Sequence, residues 1–271
     1  MRRVGRLREG RTANMADGEV KRAVYGKARE LGVNLVRTCS ADAWEERPVQ
    51  DPEFWPRNIW PWASRVVVLG MPLFAPMMAT APSMVYQELY DTSNRVLDDI
   101  AYLLSNYVTT LGYRAMYFPR DCYFNINVLE DDPRAAFSHV LAAYYAGMGT
   151  IGDSHNLVTT QFGPRLRIVS ILTDAPIEPD PMLEHDLCIH CEKCLRSCPV
   201  RAFTHALQQG QDVYDMDAIA CTKYHEELVG AHHWPCGICA AVCPVGEDVR
   251  RYQMEPMVTP EGIAHCQRFG S

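Results

Sequence analysis

The chain has 271 residues, 48% of them apolar and 22% charged. These are the proportions of an ordinary globular protein, and they exclude a disordered, collagen-like or coiled-coil chain. The formal charge is −7, an acidic balance that speaks against a nucleic-acid partner, which calls for a basic face.

Residues 1–14 hold five Arg and one Glu, so the remainder carries −11 (−7 less +4). This opening stretch lacks apolar periodicity and is expected to be a flexible basic tail, or sequence upstream of a start at Met15. Arg2-Arg3 is not followed by an apolar run, so no export signal is read there. The most apolar stretch, Val66 to Tyr86, is interrupted by Gly70, Pro72, Pro76 and Pro82 and cannot span a membrane. The expected location is cytoplasmic.

In chain order, Asp17 to Leu31 has one apolar face and ends at Gly32, which predicts a helix. Val33–Val36 is expected as a short strand. Residues 40–62 are loop-rich and carry Trp44, Trp55, Trp60 and Trp62. Arg65–Leu69 is a continuous apolar run, expected as a strand buried on both faces. Asp91 to Leu111 carries the clearest helical stripe: Val96, Leu97, Ile100, Leu103, Leu104, Tyr107, Val108 and Leu111. Tyr113–Phe118 is expected as a strand, and Pro133 as the first turn of a helix running to the glycines at 147, 149 and 152. Leu157–Thr160 and Leu166–Thr173 flank Phe162-Gly163-Pro164 and read as a β-hairpin. Asp174 to Pro181 holds three prolines and reads as a linker. Alternating helices and strands make the first half α/β.

The second half is dominated by cysteine. Eight of the eleven cysteines lie between 188 and 243, and without export, clustered thiols mean metal. The first motif is Cys188-x2-Cys191-x2-Cys194-x3-Cys198-Pro199. The second is Cys236-x2-Cys239-x3-Cys243-Pro244, with Cys221 upstream. Three thiolates at this spacing wrap one iron–sulfur cube, and the fourth reaches a second cube. The simple solution puts Cys188, Cys191, Cys194 and Cys243 on one [4Fe-4S] cluster. Cys198, Cys221, Cys236 and Cys239 hold the other. Structural zinc is the alternative, but it takes two separated pairs and leaves the third close cysteine without a role. Cys39, Cys122 and Cys266 stand alone and are expected to be inert thiols.

The run Ala146-Gly147-Met148-Gly149-Thr150-Ile151-Gly152, then Gln161-Phe162-Gly163-Pro164-Arg165, then the cysteine motifs, resembles the epoxyqueuosine reductase and reductive dehalogenase superfamily. The resemblance covers roughly Asp17 to Asp248 and is specific from Ala143 onward. It implies a nitroreductase-like α/β domain (an α+β sandwich) over residues 15–180. A ferredoxin-like domain with two [4Fe-4S] clusters would follow over residues 181–271. It also implies a cobalamin between the two, with flavin as a weaker alternative. By the family pattern Gly147, Gly149, Gly152, Asp153, Ser154, His155 and Asn156 would lie along the corrin, glycines permitting close backbone approach. His155 could alternatively be an axial ligand. Arg165 would pair with a corrin carboxylate or cap the hairpin.

The family's Asp-(Ser/Thr)-x-Pro motif is absent, and the Tyr with Lys or Arg of the dehalogenases cannot be placed from sequence. Candidate proton donors are Asp121, Tyr123, His139 and His155. The expected function is an oxygen-sensitive reductase. It would be fed by a low-potential ferredoxin or flavodoxin and act on a small molecule or on a partner protein's corrinoid. The other reading is an electron-transfer module that performs no substrate chemistry of its own.

Overall fold

A computed structural model of the chain describes residues 17–121, 126–204, 215–252 and 256–268. The basic tail, Cys122 and the candidate Tyr123 lie outside the described residues. Helix α1 (Asp17–Glu30) leads into strand β1 (Leu35–Ser40), and β2 (Arg65–Pro72) follows the tryptophan-rich stretch. Next come α2 (Met84–Thr110), β3 (Ala115–Phe118) and α3 (His139–Tyr145). Two short strands, β4 (Thr150–Ile151) and β5 (Leu157–Val158), precede β6 (Leu166–Thr173).

The main sheet has the order β1-β2-β6-β3, and every neighbouring pair is antiparallel. It is nonetheless covered on both faces, and β2 shows how. Val67 and Leu69 point to the layer of α1 and α2, while Val66 and Val68 point to α3, Trp44 and Phe137. A strand read as buried on both sides therefore sits in the middle of a helix–sheet–helix sandwich.

Helix α2 begins seven residues before the position expected from its stripe. Ser83, fully buried, accepts the Tyr86 N–H at 3.1 Å and caps the helix. Its buried seam is narrower than the sequence stripe. Leu97, Ile100, Leu104 and Val108 are buried, whereas Val96 and Leu103 are exposed.

Three sequence expectations are corrected. Pro133 does not open a helix: α3 begins at His139, where the Ser138 hydroxyl accepts the Leu141 N–H at 3.2 Å. Just upstream, Phe137 is locked between Trp44 and Phe118. Leu157–Thr160 and Leu166–Thr173 do not pair as a hairpin. β5 pairs with β4, and β6 inserts between β2 and β3, because its apolar run can be covered on both faces only there. Residues 174–181 are packed rather than loose: Ala175 and Ile177 are fully buried, and the Asp180 carboxylate accepts from Lys21, Tyr25 and the Thr38 N–H.

Beyond residue 181 the chain carries α4 (Lys193–Ser197), α5 (Ala218–Gly230) and α6 (Ile238–Ala241) among longer loops. Among the described residues no helix is long and apolar enough to cross a membrane.

Candidate functional site: two cysteine-lined cavities and a tyrosine–arginine wall

The first cysteine loop is shaped by two residues with left-handed backbone, His190 (φ 50°) and Glu192 (φ 56°). Such turns are uncommon for residues bearing a Cβ, and they curl successive N–H groups inward, the geometry that receives an anion. Amides two residues downstream serve the sulfurs: those of His190, Ile238 and Val245 bond to Cys188, Cys236 and Cys243.

Cys188, Cys191, Cys194 and Cys243 line one cavity. Cys198, Cys221 and Cys236 line another, of about 330 Å³, and Cys239 borders both. Electrostatic contact runs mainly within each group, although Cys194 also feels Cys239. Cys243 feels Cys188 and Cys191, while Cys236 feels Cys239, Cys221 and Cys198. Each motif thus sends a cysteine into the cavity of the other. Burial pushes these thiols up, Cys194 and Cys236 to about 12 and Cys221 to about 11, and neighbouring sulfurs add to the rise. A bound metal is what turns such buried thiols into thiolates.

The wall between the cavities is the segment Gly152–Asn156. Gly152 and Asp153 border the first cavity, His155 and Asn156 the second, and Ser154 both. Asn156 donates to the Cys239 sulfur at 3.5 Å and Ala202 N–H to Cys198 at 3.3 Å. Asp153, almost fully buried, pairs with His190 at 2.9 Å, and this raises the imidazole's pKa.

The glycines before this wall have an internal cause. A Cβ on Gly147 would stand 1.9 Å from the Pro181 carbonyl oxygen, and one on Gly149 2.2 Å from that of Val158. The close approach expected for a corrin is made by the chain's own backbone at both positions. Arg165 is also committed within the protein. Fully buried, it pairs with Asp248.

On the far side of the second cavity stand Tyr86 and Tyr90 from the first two turns of α2, and Arg167 from β6. A Cβ on Gly237 would lie 2.4 Å from the Tyr86 ring, so this ring rests on the loop between Cys236 and Cys239. Arg167 donates to Asn94 at 2.7 Å and to Asp121 at 2.6 Å, and its guanidinium lies 4.3 Å from the centre of the Tyr90 ring. Tyr90 donates to Asp121 at 3.1 Å. Burial drives the Tyr86 phenol above its ordinary value, and the Arg167 charge opposes that rise.

Asp121 therefore holds Arg167 in place and is not on the cavity lining. His139 is buried between Ser170 at 2.9 Å and the Pro119 carbonyl at 3.0 Å, and burial lowers its pKa to about 4. It is a structural imidazole away from both cavities. His155, exposed and with φ 58°, sits on the rim of the second cavity. His225, one turn beyond Cys221, also lines that cavity and is held neutral by burial, with a pKa of about 4. Cys39 is buried, and Cys266 is partly buried.

Tyr86, Tyr90, Arg167 and His225 were not singled out in the sequence. Arg167 gave the only signal, as a charge inside an apolar strand. The tyrosines lie upstream of where the α2 stripe becomes regular.

Residues 187–247 match the 4Fe-4S dicluster domain family. The tetrachloroethene reductive dehalogenase of Sulfurospirillum multivorans is 26% identical over 192 residues, 66% of this chain and 35% of that protein. The epoxyqueuosine reductase of Synechococcus sp. (strain RCC307) is 31% identical over 124 residues, 42% of this chain and 36% of that one. The chain is a homologue of both reductases. The fold agrees: a reductive dehalogenase whose structure suggests a mechanism for B12-dependent dehalogenation superimposes with a TM-score of 0.63, at 20% identity, over 90% of this chain and 34% of that one. This reductase homologue thus spans about a third of the length of those relatives, with an α/β half followed by a 4Fe-4S dicluster domain.

Proposed function

We propose that the chain is an iron–sulfur reductase that relays electrons through two [4Fe-4S] clusters to a cobalamin at the second cavity, in a reducing, cytoplasmic setting. Cys188, Cys191, Cys194 and Cys243 hold the first cluster, and Cys198, Cys221, Cys236 and Cys239 the second. The observation that carries this reading is the exchange of cysteines between the two cavities, the arrangement expected of a two-cluster ferredoxin spacing.

The loop that would hold the first cluster exposes Ile189 (63%) between Cys188 and Cys191 and offers a contact for a ferredoxin or flavodoxin. The Gly152–Asn156 wall would separate the two clusters, and at the second the Asn156 amide and the Ala202 N–H would favour the more negative, reduced state.

Besides its sulfurs, the second cavity is lined by Tyr86, Tyr90, Leu166, Pro199, Phe203 and Met216. Its wall is largely apolar with a few convergent polar groups, as small-ligand sites are, and it suits one flat face of a cofactor. Ser154, His155 and Asn156 would hold the margin of the ring. Gly147 and Gly149 take no part. A cobalamin bound there would supply redox-active cobalt for the reduction of a small substrate.

The chain's own contribution is the proton. Tyr86 keeps its hydroxyl protonated by burial and faces the cavity. Arg167, fixed by Asp121 and Asn94, offsets the anion left behind. The support for cobalamin is the similarity to the B12-dependent dehalogenase in fold.

The test is anaerobic purification followed by titration with hydroxocobalamin. About eight irons per chain and a shifted corrin spectrum are expected. Full iron with unchanged corrin absorption replaces this reading with an electron-transfer module that serves a partner, which the closed glycine segment would suit.

A further inference from the structure

We propose that Arg165 is a positioning residue for the first cluster: it carries Cys243 from the second motif into the first cavity and tunes that cluster's potential by its charge. This rests on the dicluster assignment proposed above.

Arg165 belongs to the α/β half. Its carbonyl accepts the Leu73 N–H at 2.9 Å, and its own N–H donates to the Phe162 carbonyl at 3.0 Å. The side chain crosses to the other half and is fully buried there. Nε and Nη2 fork onto the Asp248 carboxylate at 2.7 and 2.8 Å. Nη1 donates to the Cys243 carbonyl at 2.8 Å and the Ala240 carbonyl at 3.3 Å, and Nη2 also donates to the Val245 carbonyl. These bonds bracket Cys243 from both sides. A planar fork of this kind can be supplied only by a guanidinium.

Two glycines make room for it. A Cβ on Gly246 (φ 128°) would lie 2.5 Å from Nη2, and one on Gly163 (φ 53°) 2.9 Å from the same atom. Backbone bonds join the two halves alongside: Glu247 N–H to the Thr160 carbonyl at 3.1 Å and Asp248 N–H to that of Gln161 at 3.0 Å. The turn at 160–165 is thus a built receptor for the loop that follows Cys243. Among the four cysteines assigned to the first cluster, Cys243 is the one delivered from a distant segment, so a fault here should strike that cluster first.

A cation held against the backbone of a ligating cysteine favours the reduced, more negative cluster, and an anion opposes it. The two members of the pair therefore predict opposite shifts. In anaerobically prepared full-length protein, Arg165→Gln should lose about half of the iron, with the first cluster's paramagnetic signal weakened and the second's kept. What remains of the first cluster should titrate at lower potential. Asp248→Asn, which keeps the shape and removes the negative charge, should raise the first cluster's midpoint potential. Arg165→Lys, which keeps the charge but not the fork, should bring the potential back toward wild type more fully than the iron content.

If Arg165→Gln fails to fold, the sign of the Asp248→Asn shift decides. Variants that keep both clusters at wild-type potentials, or an Asp248→Asn shift in the same direction as Arg165→Gln, overturn the inference while the wild type still holds about eight irons. A wild type that binds no iron overturns the dicluster reading and this inference with it.

Discussion

Tyr86 and His139 show how burial alone separates two titratable side chains into different roles. Tyr86 lines a cavity that cysteines share, and burial holds its proton on through the neutral range. On the proposed reading its hydroxyl is the proton donor of the tyrosine–arginine wall at the second cavity. Tyr86→Phe should leave iron content unchanged and slow acceptor-coupled reduction by roughly 100-fold, the lower range for loss of a general acid; steady-state rates against iron per chain measure it. His139 faces no cavity. Its native pKa of about 4 lies below the unfolded value of 6.5, so its contribution to stability is complete above pH 6.5 and is lost as pH falls toward 4. The loss amounts to roughly 3 kcal/mol once both states are protonated. Thermal melts should fall across that window, and His139→Gln should flatten the fall. His225, depressed in the same direction, leaves a residual slope in the variant.

At the level of elements, α2 matters because its first two turns carry Tyr86 and Tyr90 to the second cavity. The turn that starts it is fixed by Ser83, which is buried and also within 2.6 Å of the Thr80 hydroxyl. Ser83→Ala should cost about 1 kcal/mol of stability through the lost cap, read as a lower urea midpoint, while the iron content stays at the wild-type level. The start of this helix shows where sequence patterning runs out. From Leu97 onward a periodic seam marks the helix. Before it, Tyr86, Leu89 and Tyr90 pack against Trp234 and Ala240 from the cysteine half, and contacts with a distant segment leave no local period. The same limit explains β5. Its two residues pair with β4, whereas a hairpin with β6 looked natural from the intervening turn. The inner place of β6 was decided by competition for β2 and β3.

Across the whole molecule the two halves are stabilised differently. The α/β half has two continuous apolar layers on its sheet. Beyond residue 181 the described buried apolar residues are few and scattered, among them Leu195, Ala202, Phe203 and Leu228. Metal ligation must supply much of that half's order, because binding energy is folding energy where little core exists. Anaerobic removal of iron by a chelator should open residues 181–250 to limited proteolysis while the α/β half survives as a resistant fragment. Cys198→Ala gives a separate test of the crossed wiring. Although Cys198 lies in the first motif, its loss should remove the second cluster and leave the first, as read by the paramagnetic signals of the reduced protein.

The sequence by itself determined the chemistry of the sulfurs. Their spacing is local along the chain, so a 4Fe-4S dicluster pattern can be read without coordinates. It also determined the two-sided burial of β2, because a continuous apolar run records both of its neighbours. Only the tertiary structure decided what the other residues do. Gly147 and Gly149 meet the chain's own carbonyls, Arg165 spans the two halves, and Tyr86 meets a cysteine loop some 150 residues away in sequence. Each of these contacts joins segments far apart along the chain, and side chains carry no local mark of a partner that only folding brings to them.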